Sequence, residues 1–167
     1  MIDPETLAAL ATAIDAERQS LRTYLRLAWD TCDASGKQMF IRLATDEFEH
    51  MRLLETWLFD MRPPGAIEPS AIERLIPKLS DKSLQIRGIK GQNQLSALQA
   101  ALDLERSARA FYEEQGRKTD QSARAMFARL ADMEAAHYAL IQAEIDSIQQ
   151  TGFWFGLPEF NLESERP

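Results

Sequence analysis

The sequence predicts an all-α protein, a four-helix bundle made of two antiparallel helical hairpins joined by a long crossover. Three observations carry this. Long stretches of Ala, Leu, Glu, Arg and Gln, all good helix formers, alternate with clusters of Gly and Pro at 62–69 and 88–91. Four of those stretches repeat apolar residues every three or four positions, the spacing of a single helix face. The second pair of stretches also repeats the first at matching positions.

The first helix runs from about Pro4, which suits a first helical turn, to about Asp30. Its seam is Leu7, Leu10, Ile14, Leu21 and Ala28. A polar turn at 33–36 follows. The second seam is Phe40, Leu43, Leu54, Trp57 and Met61, stopped firmly by Pro63-Pro64-Gly65. Two helices on so short a loop form an antiparallel hairpin, 4–61. Over 62–92 the periodicity weakens. Ser70 with Glu73 reads as a capping box for a short helix ending before Pro77. The segment is long enough to run back along a helix of about 35–40 Å at 1.5 Å per residue, so it reads as the crossover. The third seam is Leu95, Leu98, Leu102, Ala108 (or Arg109) and Tyr112. The fourth is Phe127, Leu130, Ile141, Ile145 and Ile148, ending near Gly152. With a turn at 116–122 they make the second hairpin, 93–151. Residues 1–152 thus read as one bundle, and 153–167 as an apolar tail, Phe153–Phe160 at its heart, packed on the bundle or on a partner subunit.

The chain has 167 residues, the size of one domain with a sizeable core. A formal charge of −7 argues against a nucleic-acid surface, which needs clustered Lys and Arg. The single cysteine, Cys32, supports neither a disulfide framework nor a thiolate metal knuckle within one chain, and reads as a loop-edge or packing residue. Met1–Ala16 carries three acidic residues and no basic start, so it does not read as a signal peptide. No run of about 18 apolar residues exists to span a membrane. A cytoplasmic setting is expected.

The hairpins repeat in detail. Ala13-Ile-Asp-Ala-Glu17-Arg18 reads like Ala101-Leu-Asp-Leu-Glu105-Arg106, and Tyr112 stands to Tyr24 as Glu105 stands to Glu17. Phe40-Ile-Arg-Leu-Ala44 matches Phe127-Ala-Arg-Leu-Ala131, with Glu47 and His50 matching Glu134 and His137 at an offset one residue shorter. An approximate two-fold axis between the hairpins follows.

Counted without gaps, each seam meets ionisable residues midway along its helix. Glu17 lies on the first, Glu47 and His50 on the second, Glu105 on the third, and Glu134 and His137 on the fourth. A lone Glu-x-x-His is common on surface helices. Here both histidines of the chain sit in repeat-matched Glu-x-x-His pairs on the buried phase. Four buried carboxylates without cations would be prohibitive, and protonation relieves only one or two. A pair of divalent metals is the simpler solution. Glu and His at i, i+3 share a face and reach a common ion, and four carboxylates with two imidazoles match the plan of dimetal bundles. These donors suit iron or manganese, with zinc also possible. Tyr24 and Tyr112, two turns beyond Glu17 and Glu105, either bond metal-bound carboxylates or serve as core aromatics. Glu144 shares the seam phase, but its match in the first hairpin is Trp57, which leaves it out of the site. Asp46, Glu49, Glu55 and Asp132 fall off the seam and read as a solvated face.

Glu17 with Tyr24, Glu47-x-x-His50, Glu105 with Tyr112 and Glu134-x-x-His137 together resemble the ferritin-like superfamily, and within it the rubrerythrin group of di-iron proteins. The resemblance covers 8–150. It implies a ferritin-like bundle in which Glu47 and Glu134 bridge two irons. Glu17 and Glu105 would be terminal ligands, and His50 and His137 would each bind one ion. It further implies a di-iron oxidoreductase acting on peroxide or dioxygen, with a ferroxidase or iron-storage protein and an inactive structural bundle as rivals. Rubrerythrins carry a rubredoxin domain with Cys-x-x-Cys knuckles. None is present here, so electrons are expected from an external donor protein. The group's additional glutamate, one turn beyond the third-helix ligand, is Ala108 in this chain, so the resemblance carries over only the six-ligand site. A homodimer is expected.

Overall fold

Pro4 opens the first helix, where its fixed φ is already helical and its missing N–H is no loss. Glu5 faces the positive end of the helix dipole, and α1 runs Pro4–Asp30. The structure, a computed structural model, describes residues 4–60, 94–119 and 121–155. The helix α2 spans Ala34–Asp60. Asp33 is its N-cap, with Oδ1 accepting the backbone N–H groups of Ser35 and Gly36 at 2.9 and 3.0 Å. The polar stretch expected as a turn at 33–36 is therefore mostly the helix's first turn, because the cap satisfies donors that would otherwise be orphaned.

The helix α3 spans Gln94–Lys118 and ends on Arg117 and Lys118, which suit the negative end of the dipole. The helix α4 spans Gln121–Thr151. With α3 running on to Lys118 and α4 beginning at Gln121, the helices take up most of the loop expected over 116–122, and Gly116 lies buried inside α3. Gly152, at φ 79°, donates its N–H to the Ile148 carbonyl at 2.9 Å and closes α4 with a left-handed cap. No described helix is long and apolar enough to cross a membrane.

All described elements are helical, so the protein is an all-α four-helix bundle. Each hairpin, α1 with α2 and α3 with α4, packs most extensively within itself, and the hairpins also meet through α1 and α3. Trp154, just past α4, is buried where α2 begins. Its ring meets Phe40 edge-on at 6.0 Å, and its Nε1 donates to Gln94 Oε1 at 3.2 Å. The start of α3 therefore lies at the same end of the bundle as the start of α2. The expected crossover 62–92, its Ser70–Glu73 box, Met61 and the tail beyond Phe155 lie outside the described residues.

The described seam positions are buried or half-buried. At the doubtful place on the third seam Ala108 is half-buried, while Arg109 is exposed and pairs with Glu113 at 2.8 Å. The buried apolar residues form two clusters. One, around Tyr24, Phe40, Leu43, Leu98, Leu102 and Ile141, fills the end near Trp154. The other, around Leu10, Ile14, Leu54, Tyr112, Phe127 and Leu130, fills the opposite half. Between them lies a layer that belongs to neither.

Candidate metal centre

That middle layer is where all four helices present ionisable side chains. Glu17 from α1, Glu47 and His50 from α2, Glu105 from α3, and Glu134 and His137 from α4 are each no more than 2% exposed. A polar residue on a core seam has nowhere to go but inward, because the apolar residues above and below it fix the helix's rotation. All six sequence-selected residues come together here. Glu17, Glu47, His50 and Glu134 offer ligand atoms that lie within 4.8 Å of one another, and so do Glu47, Glu105, Glu134 and His137. Glu47 and Glu134 are common to both groups.

The shared glutamates span the two groups oxygen by oxygen. Nδ1 of His50 lies 3.6 Å from Glu47 Oε2 and 3.3 Å from Glu134 Oε1. Nδ1 of His137 lies 3.4 Å from Glu47 Oε1 and 3.6 Å from Glu134 Oε2. Glu17 Oε2 stands 3.6 Å from His50 Nδ1, and Glu105 Oε2 stands 3.6 Å from His137 Nδ1. The two imidazoles stack with centroids 5.3 Å apart.

Two tyrosines close the arrangement reciprocally. The hydroxyl of Tyr24, on α1, donates to Glu105 Oε1 on α3, and that of Tyr112, on α3, donates to Glu17 Oε1 on α1. Each tyrosine thus serves the carboxylate of the opposite hairpin, the pairing a two-fold axis produces. Burial, then the adjacent carboxylates, push both phenols far above their ordinary range, so both keep their protons as donors.

The charges are frustrated without cations. Burial pushes the Glu105 carboxyl up to about 8, and burial followed by Glu17 and Glu134 drives Glu47 well above its usual range. Burial also pushes Glu134 upward, but the His137 and His50 imidazoles beside it outweigh that and hold the carboxyl below the usual range. For His137, burial favours the neutral ring, and the carboxylates of Asp46, Glu105, Glu134 and Glu47 override it and raise its pKa. Among the described residues, Glu17 Oε2, Glu47 Oε1, Glu105 Oε2, both Glu134 oxygens and His137 Nδ1 are buried without a hydrogen-bond partner. Native interiors leave few such atoms. Here they are the atoms turned toward the two groups, and a hard or borderline divalent cation in each would satisfy them. The residues fit a pair of metals.

One polar residue differs from its sequence reading. Asp46, expected on a solvated face, has a side chain only 15% exposed, with Oδ2 3.4 Å from His137 Nε2. The phase of α2 alone hides this, because the contact depends on α4 lying alongside. Glu144, left out of the site, is buried away from the layer and accepts the Phe155 N–H at 2.9 Å, fixing the chain after α4. A groove of about 500 Å³ on the flank of α3 and α4 has Tyr112, Arg117, Arg124 and Asp132 among its walls.

No family model and no curated protein matches the chain. Solved structures do. A hypothetical protein from Pyrococcus furiosus superposes with a TM-score of 0.67 at 22% identity, covering 87% of this chain and 90% of that one. A two-domain protein from Anabaena variabilis, described as containing DJ-1/ThiJ/PfpI-like and ferritin-like domains, gives 0.68 at 18% identity. It covers 87% of this chain, which spans 41% of that protein's length. A DUF305 fragment from Deinococcus radiodurans gives 0.63 at 11% identity over 87% of this chain and 97% of that one. Likeness at these identities speaks for the fold alone: an all-α bundle consistent with the ferritin-like arrangement of four helices, around a possible carboxylate–histidine metal site.

Proposed function

We propose that the chain is a non-haem di-iron oxidoreductase that reduces hydrogen peroxide or dioxygen with electrons from an external donor protein. One observation carries this reading. Glu47 and Glu134 each turn one oxygen toward each imidazole, so two ligand groups share both carboxylates in a water-poor layer. Glu17 and His50 complete one group, and Glu105 and His137 complete the other. These six residues would hold two ferrous ions, and a bound pair would supply the two electrons that reduction of peroxide or dioxygen takes up. Manganese or zinc fits the same donors, but zinc brings no electrons.

The protein's own part is positioning and exclusion. The hydroxyls of Tyr24 and Tyr112 pin the carboxylates of Glu105 and Glu17 and leave one oxygen of each turned inward. Both phenols hold their protons, so they donate to carboxylates without competing as anionic ligands. The apolar clusters above and below keep bulk water from the layer, which limits side reactions.

The test is metal content after anaerobic ferrous loading, compared with a Glu47→Gln/Glu134→Gln variant that keeps side-chain volume. About two irons per chain in the wild type, lost in the variant, with catalytic peroxide consumption under reductant, supports the enzyme. Iron uptake into a large mineralised assembly without turnover supports iron handling instead. Iron well below one per chain in both proteins removes the reading.

A further inference from the structure

We infer that the outer face of the first hairpin, around Leu25, Trp29, Ile41 and Phe48, is where two copies of this chain meet about a two-fold axis. The inference goes beyond the metal reading and stands whether or not cations fill the layer. Leu25 and Trp29 are 42% and 82% exposed on α1, and Ile41 and Phe48 are 49% and 42% exposed on α2. Spacings of four and seven put each pair on one helix face. The two faces adjoin. Arg18, seven residues before Leu25, stands beside Glu55, seven residues after Phe48: burial raises the Glu55 carboxyl, and the Arg18 and Arg52 guanidiniums draw it back. In an antiparallel hairpin a step along α1 is a step back along α2, so Leu25 lies level with Phe48, and Trp29 lies between Phe48 and Ile41.

The internal repeat shows that the bundle itself does not need these side chains. At the offsets that relate the two hairpins, Leu25 matches Glu113, Trp29 matches Arg117, Ile41 matches Ala128 and Phe48 matches Ala135. The same helix positions are charged or small on the second hairpin, and among the described residues no large apolar side chain stands exposed on α3 or α4. At about 150–250 Å² for a whole aromatic side chain, the four exposed residues leave roughly 400 Å² of apolar surface in water. A standard interface takes about 800 Å² from each partner, a little over half of it apolar. This one face therefore supplies nearly all the apolar area that one side of a stable dimer needs. An apolar face gains most against another apolar face, and a two-fold axis sets this face against its own copy.

Sedimentation equilibrium of the full chain over a range of protein concentrations tests this. The wild type should sediment as a dimer, with no larger species. Trp29→Arg/Phe48→Ala gives the face the residues of the second hairpin, and should weaken the dimer by about 30-fold or more while keeping wild-type helicity. Arg117→Ala, at the matching place on α3, should leave the dimer unchanged. If the double variant fails to fold, Leu25→Glu, also the second hairpin's own residue, reads the same face. A monomeric wild type overturns the inference, and a double variant that then melts lower than that monomer assigns the face to another part of the same chain. A dimer as tight in the folded double variant as in the wild type means that the copies meet elsewhere, and overturns it too. Weakening by Arg117→Ala, or growth into open chains with rising concentration, overturns the two-fold in favour of head-to-tail contact between the hairpins.

Discussion

Tyr24 and Tyr112 are the most buried hydroxyls beside the layer, and each donates a hydrogen bond to a carboxylate of the other hairpin. Replacing either by Phe keeps the ring packing and leaves a buried acceptor unserved, a loss of about 1–3 kcal/mol. Urea unfolding of chelator-treated Tyr24→Phe should show that loss as a lower midpoint at unchanged slope. A double-mutant cycle sharpens the expectation: Tyr24→Phe should couple to Glu105→Gln and be additive with Glu17→Gln. Coupling to Glu17 would mean that each tyrosine serves its own helix, contrary to the geometry. The six ionisable residues of the layer were legible in the sequence because a helix seam with apolar neighbours on both sides fixes where its polar members point. The partner of each tyrosine was not, since two residues on one helix say nothing of what the opposing hairpin offers. Asp46 was hidden for the same reason, lying off its own seam and reaching the site only through α4.

At the scale of elements, two glycines separate what a helix tolerates from what a packed end does not. A Cβ on Gly36 would lie 2.5 Å from the Trp154 ring, inside any allowed contact. Gly36→Ala must therefore displace the indole that meets Phe40 and Gln94, at a cost of about 1–3 kcal/mol. A Cβ on Gly116 would meet Phe127 Cβ at 3.6 Å, an ordinary contact, within a regular helix. Gly116→Ala should stabilise the protein by up to about 1 kcal/mol, the helix-propensity difference. Thermal melting of the two variants should move in opposite directions, and a stabilised Gly36→Ala would mean that Trp154 is not seated as described. The helix centres were legible because a period sustained over several turns outweighs single residues. The ends were less so. The glycine at 116 reads as a breaker in sequence, yet α3 runs through it to Lys118, with Arg124 Nε bonding the Gly116 carbonyl at 3.1 Å. Asp33, read as part of a turn, is the cap that starts α2.

For the whole molecule, metal and proton compete for one layer, and the competition gives stability a pH dependence whose sign can be worked out. Glu105 has a carboxyl raised from 4.5 to about 8, and that of Glu47 is also raised, chiefly by burial. A raised carboxyl binds its proton more tightly folded than unfolded, so its contribution is fully present below about pH 4.5 and is lost as pH climbs toward the folded value. His137, raised by its carboxylate neighbours against the effect of burial, behaves alike: its contribution holds below about pH 6.5 and fades as pH rises through the folded value. Glu134 is lowered, so its contribution is lost only as pH falls below about 4.5. Between about pH 5 and pH 8 the first three act together, and the metal-free protein should melt at progressively lower temperature as pH increases. Metal reverses the slope. Divalent ions bind the deprotonated carboxylates and displace those protons, so their affinity, and the stability they add to the folded state, grows over the same interval. Melting curves of chelator-treated and metal-saturated protein should therefore diverge with rising pH, the first falling and the second level or rising. A metal-free protein that grows more stable between about pH 5 and pH 8 would mean that the buried carboxylates are already ionised and balanced by something other than protons. The need for cations, argued from the orphaned oxygens of Glu17, Glu47, Glu105 and Glu134, would fall with it.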